Sequence, residues 1–279
     1  MELPLLVTSL IDQHTGVAYI TLNRPDKRNA LSRKLLAELT NIIQEIRDRE
    51  EIRCIVLAGA GNAFCSGRDL RDMRVASESG RAAKWNRSEG SAMGIVKLLR
   101  DCSQITIAKV QGFCLGGGLV LVNACDMAIA ADDAQLGLPE ILRGSYGSAA
   151  TPTLFHSRLP IKTAFYLSLT GRNLSGVEAA RVGLVSRSVP PDRLDEFVDE
   201  LALEIGSRNG TALAHAKIAA YTQLDLPFDL AAKADDAIAH RMRFYTDPLS
   251  DVDGYLLSQK GGGNLDYKAP PQKSGAKGR

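Results

Sequence analysis

The chain of 279 residues lacks most of the features that mark specialised proteins. It lacks a charge excess: 34 basic against 32 acidic residues leave a formal net charge of +2. Such a balance gives no field to gather nucleic acid or an anionic membrane surface, so neither is expected as a partner. No apolar run approaches the roughly 20 residues that span a bilayer. Cysteine is sparse: Cys54, Cys65, Cys102, Cys114 and Cys125 form an odd, scattered set without a C-x-x-C pair. That pattern argues against a disulfide framework and reads as reduced thiols in a cytoplasmic compartment. His14, His156, His215 and His240 have no metal-ligand spacing, so no metal is expected. Residues 1–13 carry Glu2 but no basic stretch, so neither a secretory signal nor an Arg-rich transit peptide is expected. No internal repeat recurs. Walker and dinucleotide glycine loops are missing. A G-x-S-x-G elbow is also missing, because Arg143 precedes Gly144-Ser145-Tyr146-Gly147.

What is present is a core. Hydrophobic residues make up 45% of the chain, enough for one large domain or one domain with an appendage. Val17–Leu22 (VAYITL) is a β-rich run ended by the turn signal Asn23-Arg24-Pro25-Asp26. Ser32 then stands as N-cap of a helix whose Leu35, Leu36, Leu39, Ile42, Ile43 and Ile46 recur at helical spacing. Residues 54–58 (CIVLA) form a short continuous apolar strand, as in a sheet buried on both faces. Ile105–Val110 and Met127–Ala131 read the same way, and 184–189 reads as a weaker strand. The alternation predicts an α/β fold. Ser175-Gly176-Val177-Glu178 is a capping box that opens a short helix before Gly183. Beyond it only helical patterns follow, at 194–205, 212–224 and 230–245. The organisation predicted is an α/β core over 1–190, a helical region over 191–260 and a flexible basic tail over 261–279.

Three segments carry candidate chemistry. In 111–125 a glycine triplet, Gly116-Gly117-Gly118, separates a strand from a helix and places free helix N–H groups at the tip of a sheet. Such N–H groups hold anions or developing oxyanions; the same triplet equally suits close packing of helix on strand. Residues 63–70 (AFCSGRDL) form a second glycine turn at a strand end. Two such turns can each lend one backbone N–H to a common carbonyl oxygen. Glu140, in the apolar context LGLPEIL, is either a partly desolvated general base or a surface acid at a helix start.

Taken together, ITLNRPDKRNALS at 20–32, the stretch 55–70, the stretch 107–144 and LTGRNLSGVEAARVGLVSRSV at 169–189 resemble the crotonase (enoyl-CoA hydratase/isomerase) superfamily. The resemblance implies a spiral α/β core of stacked ββα units with a helical C-terminal trimerisation region, and a homotrimer or a hexamer built from two trimers. It implies an acyl-CoA substrate, no cofactor beyond the coenzyme A moiety, and a thioester enolate held by the backbone N–H groups of Arg68 and Gly117. By the same resemblance Lys27, Arg28 and Ala30 lie along the coenzyme A nucleotide. Ser66, Arg68, Asp69 and Leu70 join the set expected to hold that moiety. The Arg68 side chain itself either reaches a phosphate or is only solvated.

The chain also departs from the pattern. Hydratases of the superfamily carry one glutamate three residues after the middle glycine and another 23 residues after it. Here these positions are Val120 and Glu140. Valine cannot hold or activate water. A lone carboxylate suits a proton shift from C2 to C4, so the resemblance leans to enoyl-CoA isomerisation. Hydration with one glutamate, hydroxycinnamoyl-CoA hydratase-lyase or thioester hydrolase chemistry, and non-catalytic acyl-CoA binding remain the alternatives. Ser148 is a poor nucleophile without a base beside it. Trp85, the only tryptophan, lies in a segment that shapes the acyl pocket in relatives, where it either lines that pocket or anchors a helix; His240 and Tyr245 lie on a helical pattern that can roof the pocket in relatives, and each is read as structural.

Overall fold

The computed structural model describes residues 5–72, 74, 91–148 and 150–245. Trp85, Ala149 and the tail 261–279 lie outside them. Among the described residues ten strands form two sheets. The larger has the order β1-β2-β3-β5-β7-β10, from Val7–Asp12, Val17–Leu22, Cys54–Gly59, Ile105–Val110, Met127–Ala131 and Arg187–Val189. The smaller has the order β4-β6-β8-β9, from Ala63–Cys65, Phe113–Leu115, Gln135–Gly137 and Asn173–Ser175. Pairing is parallel throughout, except between β1 and β2 and between β8 and β9.

The chain winds as a spiral. A long strand of the first sheet turns within a few residues into a short strand of the second, and a helix returns it to the start. β3–β4, β5–β6 and β7–β8 are three such pairs. The corners are stitched to one another: Phe64 N–H donates to Gln111 O at 2.8 Å, and Gln135 N–H donates to Gly112 O at 2.8 Å. Gly112 turns its corner with φ of +53°, and a β-carbon there would collide with Asn62 O. Only glycine fits such an approach.

Among the described residues the main helices are α1 (Arg33–Arg47), α2 (Ala92–Asp101), α3 (Gly117–Ala124), α4 (Ala150–His156), α5 (Ile161–Thr170), α6 (Gly176–Val182), α7 (Leu194–Gly206), α8 (Gly210–Gln223) and α9 (Phe228–Met242). Ser32 caps α1 as its sequence predicts, its hydroxyl accepting from Leu35 N–H at 3.2 Å. The apolar face of α1 buries Leu35, Leu36, Leu39, Ile43 and Ile46. Each such side chain contributes roughly 1.5–3 kcal/mol. The Ser175–Glu178 capping box is formed in both directions.

Two expectations need correction. The weak strand at 184–189 shortens to Arg187–Val189. Gly183 ends α6 with φ of +80°, and the Leu184 and Val185 N–H groups turn back to Ala179 O, so these two residues are spent closing the helix, while Ser186 N–H already reaches Ala128 O on β7. The helix after the glycine triplet starts at Gly117 itself. Beyond residue 190, α7 lays Leu194, Val198 and Ala202 against β3, β5 and β7. α8 is pinned by the buried Lys217, whose ammonium donates to Leu99 O at 2.7 Å and Gln104 O at 2.8 Å and pairs with Asp126 at 2.8 Å. Among the described residues no helix is long and apolar enough to cross a membrane.

Candidate active site

β6 delivers the chain to Gly116, which takes φ of +53° and hands over to α3. Gly116 N–H is spent on Gly137 O at 2.9 Å. Gly117 opens the helix, so its N–H has no intrahelical acceptor and carries the positive end of the helix dipole. Opposite it, the turn after β4 passes through Gly67, at φ of +94°. The backbone is fixed on both sides of Arg68: Leu31 N–H donates to Gly67 O at 2.8 Å, and Asp69 N–H donates to Leu31 O at 3.1 Å.

The three glycines have three different reasons. A β-carbon at Gly116 would strike Glu140 Oε1. One at Gly117 would lie 3.5 Å from Arg68 N and 3.0 Å from Leu31 Cδ1. One at Gly118 would press into the Cys65 backbone carbonyl at 2.5 Å. So close packing of helix on strand explains Gly118, whereas Gly117 keeps open the space between two backbone nitrogens. The reciprocal distance agrees: a β-carbon at Gly67 would lie 3.3 Å from Gly117 N.

Glu140 is the second residue of a 3-10 turn, Pro139–Arg143, closed by Gly144 in the left-handed region. Proline at the first position and Ser145 N–H on Glu140 O at 3.1 Å fix its backbone. The carboxyl lies between Gly116 and Gly147, where a β-carbon would stand 3.5 Å from Glu140 Cδ. Its Oε2 is buried and has no hydrogen-bond partner among the described residues. Burial raises its pKa, and its own backbone N–H and the Arg143 charge only partly oppose that rise. Of the two sequence readings, the desolvated carboxyl fits and the solvated surface acid does not.

A cavity of about 670 Å³ joins these parts. Gly116, Gly117, Val120 and Glu140 line it, as do Lys27, Ala30, Ser66, Arg68, Asp69 and Leu70. Val120 is fully buried and gives this wall an apolar surface. Arg68 is half-buried rather than simply solvated: burial, then the nearby Arg33 charge, lowers its guanidinium pKa.

Other expectations fall elsewhere. Arg28 does not line the cavity; its guanidinium stacks 5.1 Å above the Phe113 ring. The Asp69 carboxylate is committed to Arg24, at 3.1 Å from both guanidinium nitrogens. Burial pushes the Asp69 pKa up, but the Arg24 hydrogen bond and the Arg71 N–H outweigh it and bring it down. Ser148 lines the cavity, with no hydrogen bond to its hydroxyl among the described residues. His240 and Tyr245 do not line it: His240 Nδ1 lies 2.9 Å from Asp236 O, and Tyr245 stacks near His215. Arg24 and Gly147 went unassigned in the sequence. A half-buried partner 45 residues away reveals the first, and the positive φ of Gly147 beside the Glu140 carboxyl reveals the second.

Two sheets wound from ββα turns around such a cavity define the crotonase fold class. The chain belongs to the enoyl-CoA hydratase/isomerase family, whose profile matches residues 12–247. It is 34% identical over 211 residues to the hydroxycinnamoyl-CoA hydratase-lyase of Pseudomonas fluorescens, covering 75% of this chain and 76% of that protein. It is 35% identical over 228 residues to the (E)-benzylidenesuccinyl-CoA hydratase of Thauera aromatica, covering 80% and 85% respectively. The crystal structure of an enoyl-CoA hydratase from Mycobacterium smegmatis superposes with a TM-score of 0.81 at 29% identity, covering 91% of this chain and 97% of that one.

Proposed function

We propose that this acyl-CoA enzyme forms a thioester enolate and moves one proton with Glu140, shifting a double bond rather than adding water. The observation that carries this reading is the unpartnered Glu140 Oε2 at a cavity whose other wall is the buried Val120. The N–H groups of Gly117 and Arg68 would both donate to the thioester oxygen between them. The Glu140 carboxylate takes the C2 proton of a 3-enoyl thioester. The C2–H electron pair moves into the C1–C2 bond, and the oxygen gains negative charge where the two N–H groups point. Return of the same proton at C4 moves the double bond to C2–C3. Hydration would need an activated water as well, and Val120 offers no polar group to hold one. Lys27, Ala30 and Ser66 border the side on which the coenzyme A moiety would run, with the lysine available to a phosphate. Incubation with a 3-enoyl-CoA tests the proposal. The expected product is the 2-enoyl-CoA; recovery of unchanged 3-enoyl-CoA would refute the isomerase reading, and onward conversion to a 3-hydroxyacyl-CoA would refute the exclusion of water.

The Pseudomonas fluorescens relative favours a second reading, hydration followed by carbon–carbon cleavage through the same kind of enolate. Release of an aldehyde from a hydroxycinnamoyl-CoA would select it.

The chain is also proposed to assemble as a homotrimer or a hexamer. α5 exposes Ile161, Phe165, Tyr166 and Leu169, and the adjoining turns expose Leu142 and Tyr146. A cluster of exposed apolar side chains such as this supports an interface between copies. Sedimentation velocity at micromolar concentration is expected to give a trimer or larger, and a monomer would contradict it.

A further inference from the structure

We infer that the Arg24–Asp69 pair is a clamp coupling the nucleotide side of the cavity to the oxyanion donors, which makes Arg24 and Asp69 positioning residues. This rests on the proposed enolate chemistry. Segment 24–31 and the strand-turn 63–69 are bound rung by rung. Asn29, fully buried, donates from Nδ2 to Ala63 O at 2.8 Å and to Ala60 O at 3.0 Å, while its Oδ1 accepts from Arg24 N–H at 2.9 Å. Ser66 N–H donates to Arg28 O at 2.9 Å, and the Leu31 bonds to Gly67 and Asp69 follow. The Arg24 guanidinium closes the ladder: Nη1 donates to Ala30 O at 2.6 Å, and both terminal nitrogens donate to Asp69 Oδ2.

Asp69 is therefore held by the loop that carries Lys27 and Ala30, and it directly follows Arg68, whose N–H is one of the two proposed donors. The pair is largely sheltered, with the two side chains 17% and 14% exposed, so solvent screens it weakly. Arg28 and Asn29 both hold positive φ, at 47° and 56°. Consecutive non-glycine residues persist there only where their surroundings over-determine them. A loop so tied cannot shift toward a nucleotide without carrying the Arg68 peptide with it. Binding of the remote coenzyme A nucleotide is thereby converted into placement of the oxyanion donor, and so into kcat.

The test compares α-proton exchange in D2O for butyryl-CoA and butyryl-pantetheine, each at saturation, in the wild type and Asp69→Asn. In the wild type the coenzyme A thioester is expected to exchange faster by on the order of tenfold. In Asp69→Asn that ratio is expected to collapse toward one, with the coenzyme A loss in kcat rather than KM. A ratio that survives the substitution, a change confined to KM, or equal wild-type rates would overturn the clamp. Exchange of neither thioester by the wild type would overturn the enolate reading and the clamp with it. If Asp69→Asn does not fold, Arg24→Lys, which keeps the charge and loses the fork, carries the same expectation.

Discussion

Glu140→Gln is expected to lower α-proton exchange of a bound acyl-CoA by about 10²–10⁴-fold, the usual worth of a positioned general base. Glutamine keeps the volume between Gly116 and Gly147 and loses only the ability to take a proton. Acyl-CoA affinity is expected to persist, since the oxyanion donors and the coenzyme A side are untouched. The fold is expected to gain stability. Burial raises the Glu140 pKa in the native state, so its stability contribution is complete below the unfolded pKa. That contribution is lost as pH rises through the folded pKa, leaving the ionised form penalised at neutral pH. Removing the charge lifts the penalty, and thermal melts of both proteins at pH 5 and pH 8 should diverge at the higher pH. The same shift fixes the sign of the rate profile. The base works ionised, so kcat/KM should fall on the acid side of a pKa above the ordinary glutamate range, and this limb should vanish in Glu140→Gln. Exchange unchanged in the variant would remove Glu140 from the chemistry.

Gly117→Ala is expected to cost about 10²–10³-fold in kcat, the worth of one oxyanion donor. Gly117 does not hold a left-handed φ, so alanine is tolerated by the backbone. The new methyl would stand 3.5 Å from Arg68 N, in the space the thioester oxygen needs, and must push Leu31 Cδ1 from 3.0 Å. Gly118→Ala is the matching contrast. Its methyl would meet the Cys65 carbonyl, a rigid backbone atom, so it should lower stability first. Steady-state kinetics and urea melts of the two variants separate the roles: a kinetic defect with a native-like melt at 117, and a stability defect at 118. The reverse pattern would make the triplet a packing device alone.

The long strands were legible because burial on both faces writes a continuous apolar run: β5 and β7 fall on the residues their sequences predict. The Ser32 cap and the Ser175–Glu178 box were legible because their partners lie three residues away. Gly117 and Glu140 were candidates from local chemistry and the spacing of the resemblance. The short strands β4 and β6 were hidden inside glycine-rich segments, and β8 was too short to delimit, since three residues carry no period and their pairing is long-range. The Arg24–Asp69 pair was hidden for the same reason. Arg28 was named by the resemblance of its loop, which does not reveal that its guanidinium settles over Phe113.

In the proposed chemistry one carboxylate and two backbone N–H groups enolise a thioester. Proton NMR of the wild-type enzyme with a saturated acyl-CoA in D2O tests it most directly. Loss of the C2 proton signals is expected, with no hydrolysis, at a rate that Glu140→Gln lowers by about 10²–10⁴-fold. A bound acyl-CoA that keeps both C2 protons through prolonged incubation would contradict it.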